Sequence, residues 1–292
     1  MWLQCKNYTS LSQKPIFKPS KFFGGFFCSS IAKFASMQDI KKLLDFKLNQ
    51  ITREQLFVAD DPISIPHRFV KKEDIEISGF LTAILSWGMR RQIIERAGFL
   101  MQLMDHAPHQ FVMQATDRDF SHLEQFQYRT FKGVDCHALV YALAMIYRQS
   151  GSMEEVFSEG YKNGGIWEAI DFARNTLLKF PHEKRTEKHL ANPGKGSSAK
   201  RINMFLRWMV RKDDDGIDFG IWKNIPTKDL ICPLDLHTGK AARKLGLLNR
   251  KQDDRKAAEE LTIQLRKMDS DDPVKYDLAL FMLSMDQQLE SR

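Results

Sequence analysis

Pro233–Leu248, PLDLHTGKAARKLGLL, is the stretch on which the reading of this chain turns. Pro233 and Leu234 lead to Asp235, and from His237 to Leu248 the residues Ala241, Ala242 and Leu245 fall on one helical face. Asp235 therefore stands at or just before an N-cap, where free backbone N–H groups stabilise a carboxylate. Capping alone would account for an aspartate there. An ionised carboxylate at the mouth of a basic helix also suits a proton acceptor, or a partner for developing positive charge. Both readings stay open on this stretch. Asp235 and His237 have the spacing of two metal ligands, but no third ligand is evident, so no metal site is expected.

Upstream, GSSAKRINMFLRWMVR (Gly196–Arg211) predicts a second amphipathic helix over Lys200–Lys212. Lys200, Asn203, Arg207 and Arg211 share a stripe of roughly 80°, with Ile202, Phe205, Leu206 and Met209 opposite. The apolar face anchors the helix, so the polar stripe is expected to look into a cleft or into solvent. Lysine is a nucleophile only as the neutral amine, and neighbouring cations such as Arg201 and Arg207 favour that form. The alternatives for Lys200 are a phosphate contact at a helix start, or plain solvation.

Charge is distributed unevenly. The formal net charge is +7, but residues 1–36 carry five lysines and no acid, leaving 39 basic and 37 acidic residues beyond them. Lys195–Lys212 holds six basic residues and no acid, and His237–Lys256 holds seven against Asp253 and Asp254. From Ala257 onward acids outnumber bases by eight to four. Segregation of this kind places a basic face on one side of a fold and suits a polyanionic partner; solvated helix surfaces are the plainer alternative.

Helical periodicity dominates after Met37, and no stretch alternates as a strand does. Helices are predicted from Ile40 to Ile51, at Glu76–Gly88, Arg90–Met104, Ala107–Gln114, Val134–Ser150, Met153–Glu159 and Gly165–Phe180, and from Asp272 onward. Asp60–Phe69 carries two prolines and reads as extended, and residues 181–199 read as a polar loop. The fold class expected is all-α. Residues 1–36 read as a disordered leader or a misplaced start, with a targeting segment as the alternative. Residues 37–292 then form one unit of two lobes, about 70–180 and about 181–292, the first helix packing with the second lobe. Cys5, Cys28, Cys136 and Cys232 lie far apart, which excludes a zinc ribbon or iron–sulfur cluster and suits a reducing, cytoplasmic setting. No apolar run reaches the roughly 18–20 residues of a membrane span.

The order of a glycine hairpin (Asn192-Pro193-Gly194-Lys195-Gly196), KRINMFLRW, an insertion and PLDLHTGKAARKLGLL resembles the helix-hairpin-helix (HhH-GPD) DNA glycosylase superfamily. Asp235, His237, Arg243, Leu245 and Gly246 match that family's aspartate-bearing segment, with Lys240 where an arginine is frequent. Lys200 matches the catalytic lysine, four residues beyond Gly196 rather than the usual two. The insertion Lys212–Cys232 gives a layout closest to archaeal 8-oxoguanine DNA glycosylases, and the chain from Met37 is similar to a bacterial branch. The resemblance implies a two-lobed fold with a cleft, and bifunctional glycosylase/lyase chemistry through a Lys200 Schiff base assisted by Asp235. It also implies duplex, damaged DNA as partner, no cofactor and a monomer. DNA contacts are expected from Gly194, Lys195, Gly196, Arg201, Arg207, Arg211, His237, Lys240 and Arg243, and from Arg90 and Arg91 beside Met89. Trp87 and Trp208 are core residues or stacking partners. A non-catalytic DNA-binding protein of the same fold and an unrelated helical scaffold are the competing classes.

Overall fold

Among the described residues, the longest unbroken run of buried positions spans residues 75–86. In the computed structural model, which describes residues 36–50 and 61–290, Lys72–Leu85 forms a helix whose residues from Ile75 onward are all buried. The described residues carry twelve α-helices and no strand beyond isolated bridges. They are α1 (Met37–Leu48), α2 (Lys72–Leu85), α3 (Arg90–Leu103), α4 (Pro108–Gln114), α5 (Asp117–His122), α6 (Gly133–Ser150), α7 (Met153–Gly164), α8 (Ile166–Leu177), α9 (Lys200–Val210), α10 (Leu236–Lys244), α11 (Arg255–Met268) and α12 (Tyr276–Glu290). The fold is all-α, and none of these helices is long and apolar enough to cross a membrane. The leader expected at 1–36 lies outside the described residues except for Ser36, which caps α1 by accepting from Asp39 N. Ile51 and Asp60 also lie outside them.

Helix α2 packs on α3, α4 and α9. A Cβ at Gly79 would approach the terminal methyl of Met209 to 3.2 Å, so glycine lets α2 and α9 lie close. Phe80 and Phe205 meet edge to face across that contact, at 5.6 Å between centroids. Burying a side chain such as Phe205 stabilises the fold by about 2 kcal/mol. Amid this apolar packing Glu76 is fully buried, and it accepts from Tyr147 Oη (2.6 Å), Trp222 Nε1 (2.8 Å) and Met153 N (3.3 Å). One carboxylate thus joins α2, α6, the start of α7 and the segment after α9, and these donors meet its buried oxygens.

Helices α7 and α8 form a hairpin about Gly165, whose φ of +80° suits glycine. Helix α12 packs on α1 and α10, and the Tyr276 hydroxyl lies 3.0 Å from both Lys41 Nζ and Asp45 Oδ1. One hydrophobic cluster extends from Ile40 in α1 to Leu283 in α12.

Several elements depart from the periodicity. Helix α11 was not anticipated because the charges of Lys251–Lys256 mask its start. Asp254 caps it by accepting from Ala257 N, and Ala257, Ala258, Leu261 and Leu265 form its buried face. Asp117–His122 is a further helix, closed by a Thr116–Asp119 capping box. Helix α10 stops at Lys244, short of the predicted Leu248. Gly246, at φ +72°, allows Leu247 N to reach Ala242 O (2.9 Å) and Gly246 N to reach Arg243 O (3.1 Å), the double bond pattern of a helix stop.

Candidate active site

Two helix starts meet at the site. Asp235 is the N-cap of α10, and its Oδ1 accepts from His237 N and Thr238 N, both at 2.8 Å. Its other oxygen, Oδ2, lies 3.3 Å from Lys200 Nζ. Capping and facing the lysine are therefore simultaneous roles of one carboxylate. The two side chains are 34% and 22% exposed, open enough to be reached yet partly withdrawn from water. Burial pushes the Asp235 carboxyl up, but the Lys200 ammonium and the Thr238 N–H outweigh it and hold the group below its ordinary range.

Lys200 is the first residue of α9 and follows a sharp turn. Ala199 holds φ +48° and ψ 34°, a left-handed conformation rare for alanine. The turn is locked by Ala199 N donating to Ser197 Oγ (3.1 Å) and Asn203 Nδ2 donating to Ser198 O (2.9 Å). Such strain costs of order 1–3 kcal/mol and persists where the surroundings over-determine it.

Behind the pair lies a second carboxylate, on the helix predicted from Asp272 onward. Asp277 of α12 is buried and accepts from Thr238 Oγ1 (3.2 Å) and from Arg207 Nη1 (2.5 Å). Burial pushes its carboxyl up to about 6; Arg207 opposes the shift and Asp235 adds to it. Arg207 also meets Asp218 Oδ1 at 3.3 Å. Burial works against the Arg207 charge, but Asp218, Asp277 and Asp61 outweigh it, and the guanidinium is held above its ordinary value. Arg211 meets Asp213, Asp218 and Asp272, each at 2.9 Å.

The expected polar stripe of α9 is thus turned inward. Asn203, Arg207 and Arg211 are 1%, 6% and 8% exposed, which removes the two arginines from a DNA-facing role. The insertion Lys212–Cys232 supplies Asp218 and α12 supplies Asp277, so carboxylates cover a stripe that looks solvent-facing on a helical wheel. Arg201 is likewise committed to backbone carbonyls, those of Ile84 and His189. Arg243 donates to Arg250 O (2.8 Å) and Asp253 Oδ1 (2.5 Å), closing the turn between α10 and α11. Trp208 is 1% exposed and belongs to the core.

The glycine hairpin is a short 3-10 turn at Pro193–Lys195 with Gly196 left-handed at φ +87°. Its amides are engaged internally. Lys195 N donates to Asn192 Oδ1 (3.0 Å), Gly196 N to Pro193 O (2.9 Å), and the Gly194 N–H serves the Asp171 carboxylate. The side chain of Lys195 stays exposed, as do Lys240, Arg90 and Arg91. His237 Nδ1 lies 3.3 Å from Ser284 Oγ, and its ring meets Phe281 edge-on at 5.9 Å. The Arg90 guanidinium lies 4.5 Å from the centroid of that same Phe281 ring, so α3, α10 and α12 share it.

Lys200 lines an open cleft of about 720 Å³ together with Trp87, Arg174, Lys188, Asn192, Lys195 and Arg201, and Glu187 is the one carboxylate on its walls. An amine beside a fixed carboxylate on a cationic cleft suits attack on an electrophilic carbon of an anionic substrate. Among the described residues no group of three His, Cys, Asp or Glu could hold a metal ion.

Residues 61–286 match the family described as a protein of unknown function, DUF2400. The chain belongs to the DUF2400 family. No curated protein and no solved structure matches it. The DUF2400 span contains Lys200, Asp235, Thr238, Arg207, Asp218 and Asp277, and begins at Asp61 after helix α1. Sequence reasoning missed Thr238, Asp218 and Asp277. An aspartate one residue into a helix is ordinarily read as a favourable helix-start charge, which concealed Asp277.

Proposed function

We propose that this DUF2400 protein is a DNA N-glycosylase with lyase activity, acting as a cytoplasmic monomer on damaged duplex DNA. The observation that carries the reading is the 3.3 Å approach of Lys200 Nζ to Asp235 Oδ2, with Oδ1 of the same carboxylate held by two helix amides. The proposed architecture is a two-lobed helix-hairpin-helix fold with the cleft between the lobes. The damaged nucleotide leaves the stack to reach the cleft, since chemistry at a base cannot be done inside the duplex.

In this reading the Lys200 nitrogen bonds to the sugar C1′ as the glycosidic C–N bond breaks, and the proton it gives up passes by way of Asp235 to the departing base. The bonding pair leaves with the base. Asp235, ionised at neutral pH, faces the positive charge that develops on the sugar. Opening of the sugar ring converts the adduct to an imine, loss of the C2′ proton expels the 3′ phosphate, and water releases Lys200. The exposed Lys195 and Lys240 contribute phosphate contacts that position the duplex.

Borohydride trapping on duplexes bearing oxidised, alkylated or abasic sites tests the proposal. A covalent complex is expected, lost in Lys200→Ala. Salt-dependent DNA binding with no trapping on any of these duplexes would replace it with the non-catalytic binding reading.

A further inference from the structure

A second feature of the cleft lies on the wall formed by Trp87 and was not anticipated in the sequence. Tyr128 and Phe131 exchange backbone hydrogen bonds, both at 2.9 Å, and so close a tight turn with Arg129 and Thr130 at its centre. Arg129 occupies the first central position at φ +53°. Glycine, asparagine and aspartate are the usual residues there, because an ordinary side chain is strained at positive φ. An arginine in such a strained position points to a use for its side chain.

That side chain is placed by two further arrangements. The guanidinium carbon lies 4.7 Å from the centroid of the Trp87 ring, within the range of a cation–π contact. Trp87 is itself held, since Tyr128 Oη donates to Trp87 O at 2.7 Å and the two rings meet edge-on at 5.9 Å. The next residue, Gly88, has φ +114°, and a Cβ there would fall 2.2 Å from Arg129 Nη1 and 2.8 Å from Tyr128 Oη. Glycine at 88 therefore leaves the space that the guanidinium fills. Arg129 is exposed and forms no ion pair with a carboxylate among the described residues. A charged, planar group is thus fixed on an aromatic platform while its hydrogen-bonding edge stays open.

We infer that Arg129 is an anion-binding residue beside the cleft, stacked on the lining residue Trp87 so as to receive a phosphate of the nucleic-acid backbone. The inference rests on the nucleic-acid reading for the source of the phosphate; the geometry for binding an anion stands apart from it. A planar guanidinium presents paired donors to a phosphate, which a lysine ammonium does not match. Stacking on indole leaves those edge donors free and lowers the entropy lost when the anion binds.

The test uses the full chain and two probes. The first is a labelled duplex carrying a stable abasic-site analogue, with affinity measured against salt. Arg129→Ala is expected to weaken binding by about 3- to 10-fold and to reduce the salt slope by about one, the value for one lost phosphate contact. Arg129→Lys is expected to keep the slope and lose part of the affinity. Gly88→Ala, which retains the arginine but displaces it, is expected to fall between wild type and Arg129→Ala. Wild-type affinity and slope in Arg129→Ala would overturn the phosphate contact. The second probe is inorganic phosphate, followed through the Arg129 Nε–H resonance. A saturable shift, absent in Gly88→Ala, is expected. A resonance that does not move overturns the anion site, whatever the DNA result. A saturable shift in a protein that binds no duplex would keep the anion site and reject the nucleic-acid source.

Discussion

The Thr238 hydroxyl donates to Asp277 across 3.2 Å, and this bond ties the helix capped by Asp235 to the carboxylate that holds Arg207 on the helix of Lys200. Thr238→Val keeps the shape of the side chain and removes the bond. It leaves Asp277 Oδ1 short of a donor in a buried site, a loss of about 1–3 kcal/mol in stability. Chemical denaturation measures that loss. Because the bond sets how α9 and α10 meet, the rate of Schiff-base trapping is expected to fall by roughly tenfold or more. Thr238→Ser, which keeps the hydroxyl, is expected to restore most of it.

Removing the charge of Asp277 has a pH signature. Its carboxyl is raised from 3.8 to about 6 in the folded protein, so between those values the native state binds more protons than the unfolded chain. Stability from this group is therefore fullest below the unfolded value and declines as pH rises towards about 6. Asp235, held low, acts in the opposite sense: its contribution is present above the ordinary carboxylate value and is lost as pH falls. Urea midpoints across this range should show the Asp277 decline in wild type and its absence in Asp277→Asn. An identical pH slope in both proteins would contradict the assignment.

Asp235 offers a way to separate cap from chemistry. Asparagine is as good an N-cap as aspartate, so Asp235→Asn is expected to keep the cap and lose only the contribution of the charge beside Lys200. Asp235→Ala removes both, and an added loss of about 1 kcal/mol is expected from the cap. Thermal melts should therefore rank Asn above Ala, with trapping reduced strongly in both. Equal trapping in Asp235→Asn and wild type would assign the residue to capping alone.

Ala199→Gly addresses the strained turn. Relief of the left-handed alanine gains roughly 1–2 kcal/mol, and loss of a buried methyl gives back about 0.8 kcal/mol. The melting temperature is expected to move little. Trapping is expected to fall because Lys200 follows a freer backbone, and a parallel change in melting and trapping would argue against a positioning role.

Most helices were legible because apolar spacing, a proline or a capping acid is a local signal, whereas Lys200 and Asp235 were brought together by the resemblance to the glycosylase superfamily. Arg207 and Arg211 were misplaced because a helical wheel shows which residues share a stripe and not what covers it. The covering groups, Asp218 and Asp277, lie 11 and 70 residues from Arg207. The hairpin amides were expected to be open because their partners, Asn192 and Asp171, come from turn geometry and from a separate helix. Arg129 escaped notice since no periodicity marks a single residue in a tight turn.

The brace on α12 also orders events in time. Asp277 joins the growing chain after Lys200, Arg207 and Asp235. Until then Arg207 lacks one of its two carboxylates and Thr238 has no acceptor for its hydroxyl. A nascent chain that has already made Lys200 therefore cannot hold that lysine in its finished setting until α12 docks.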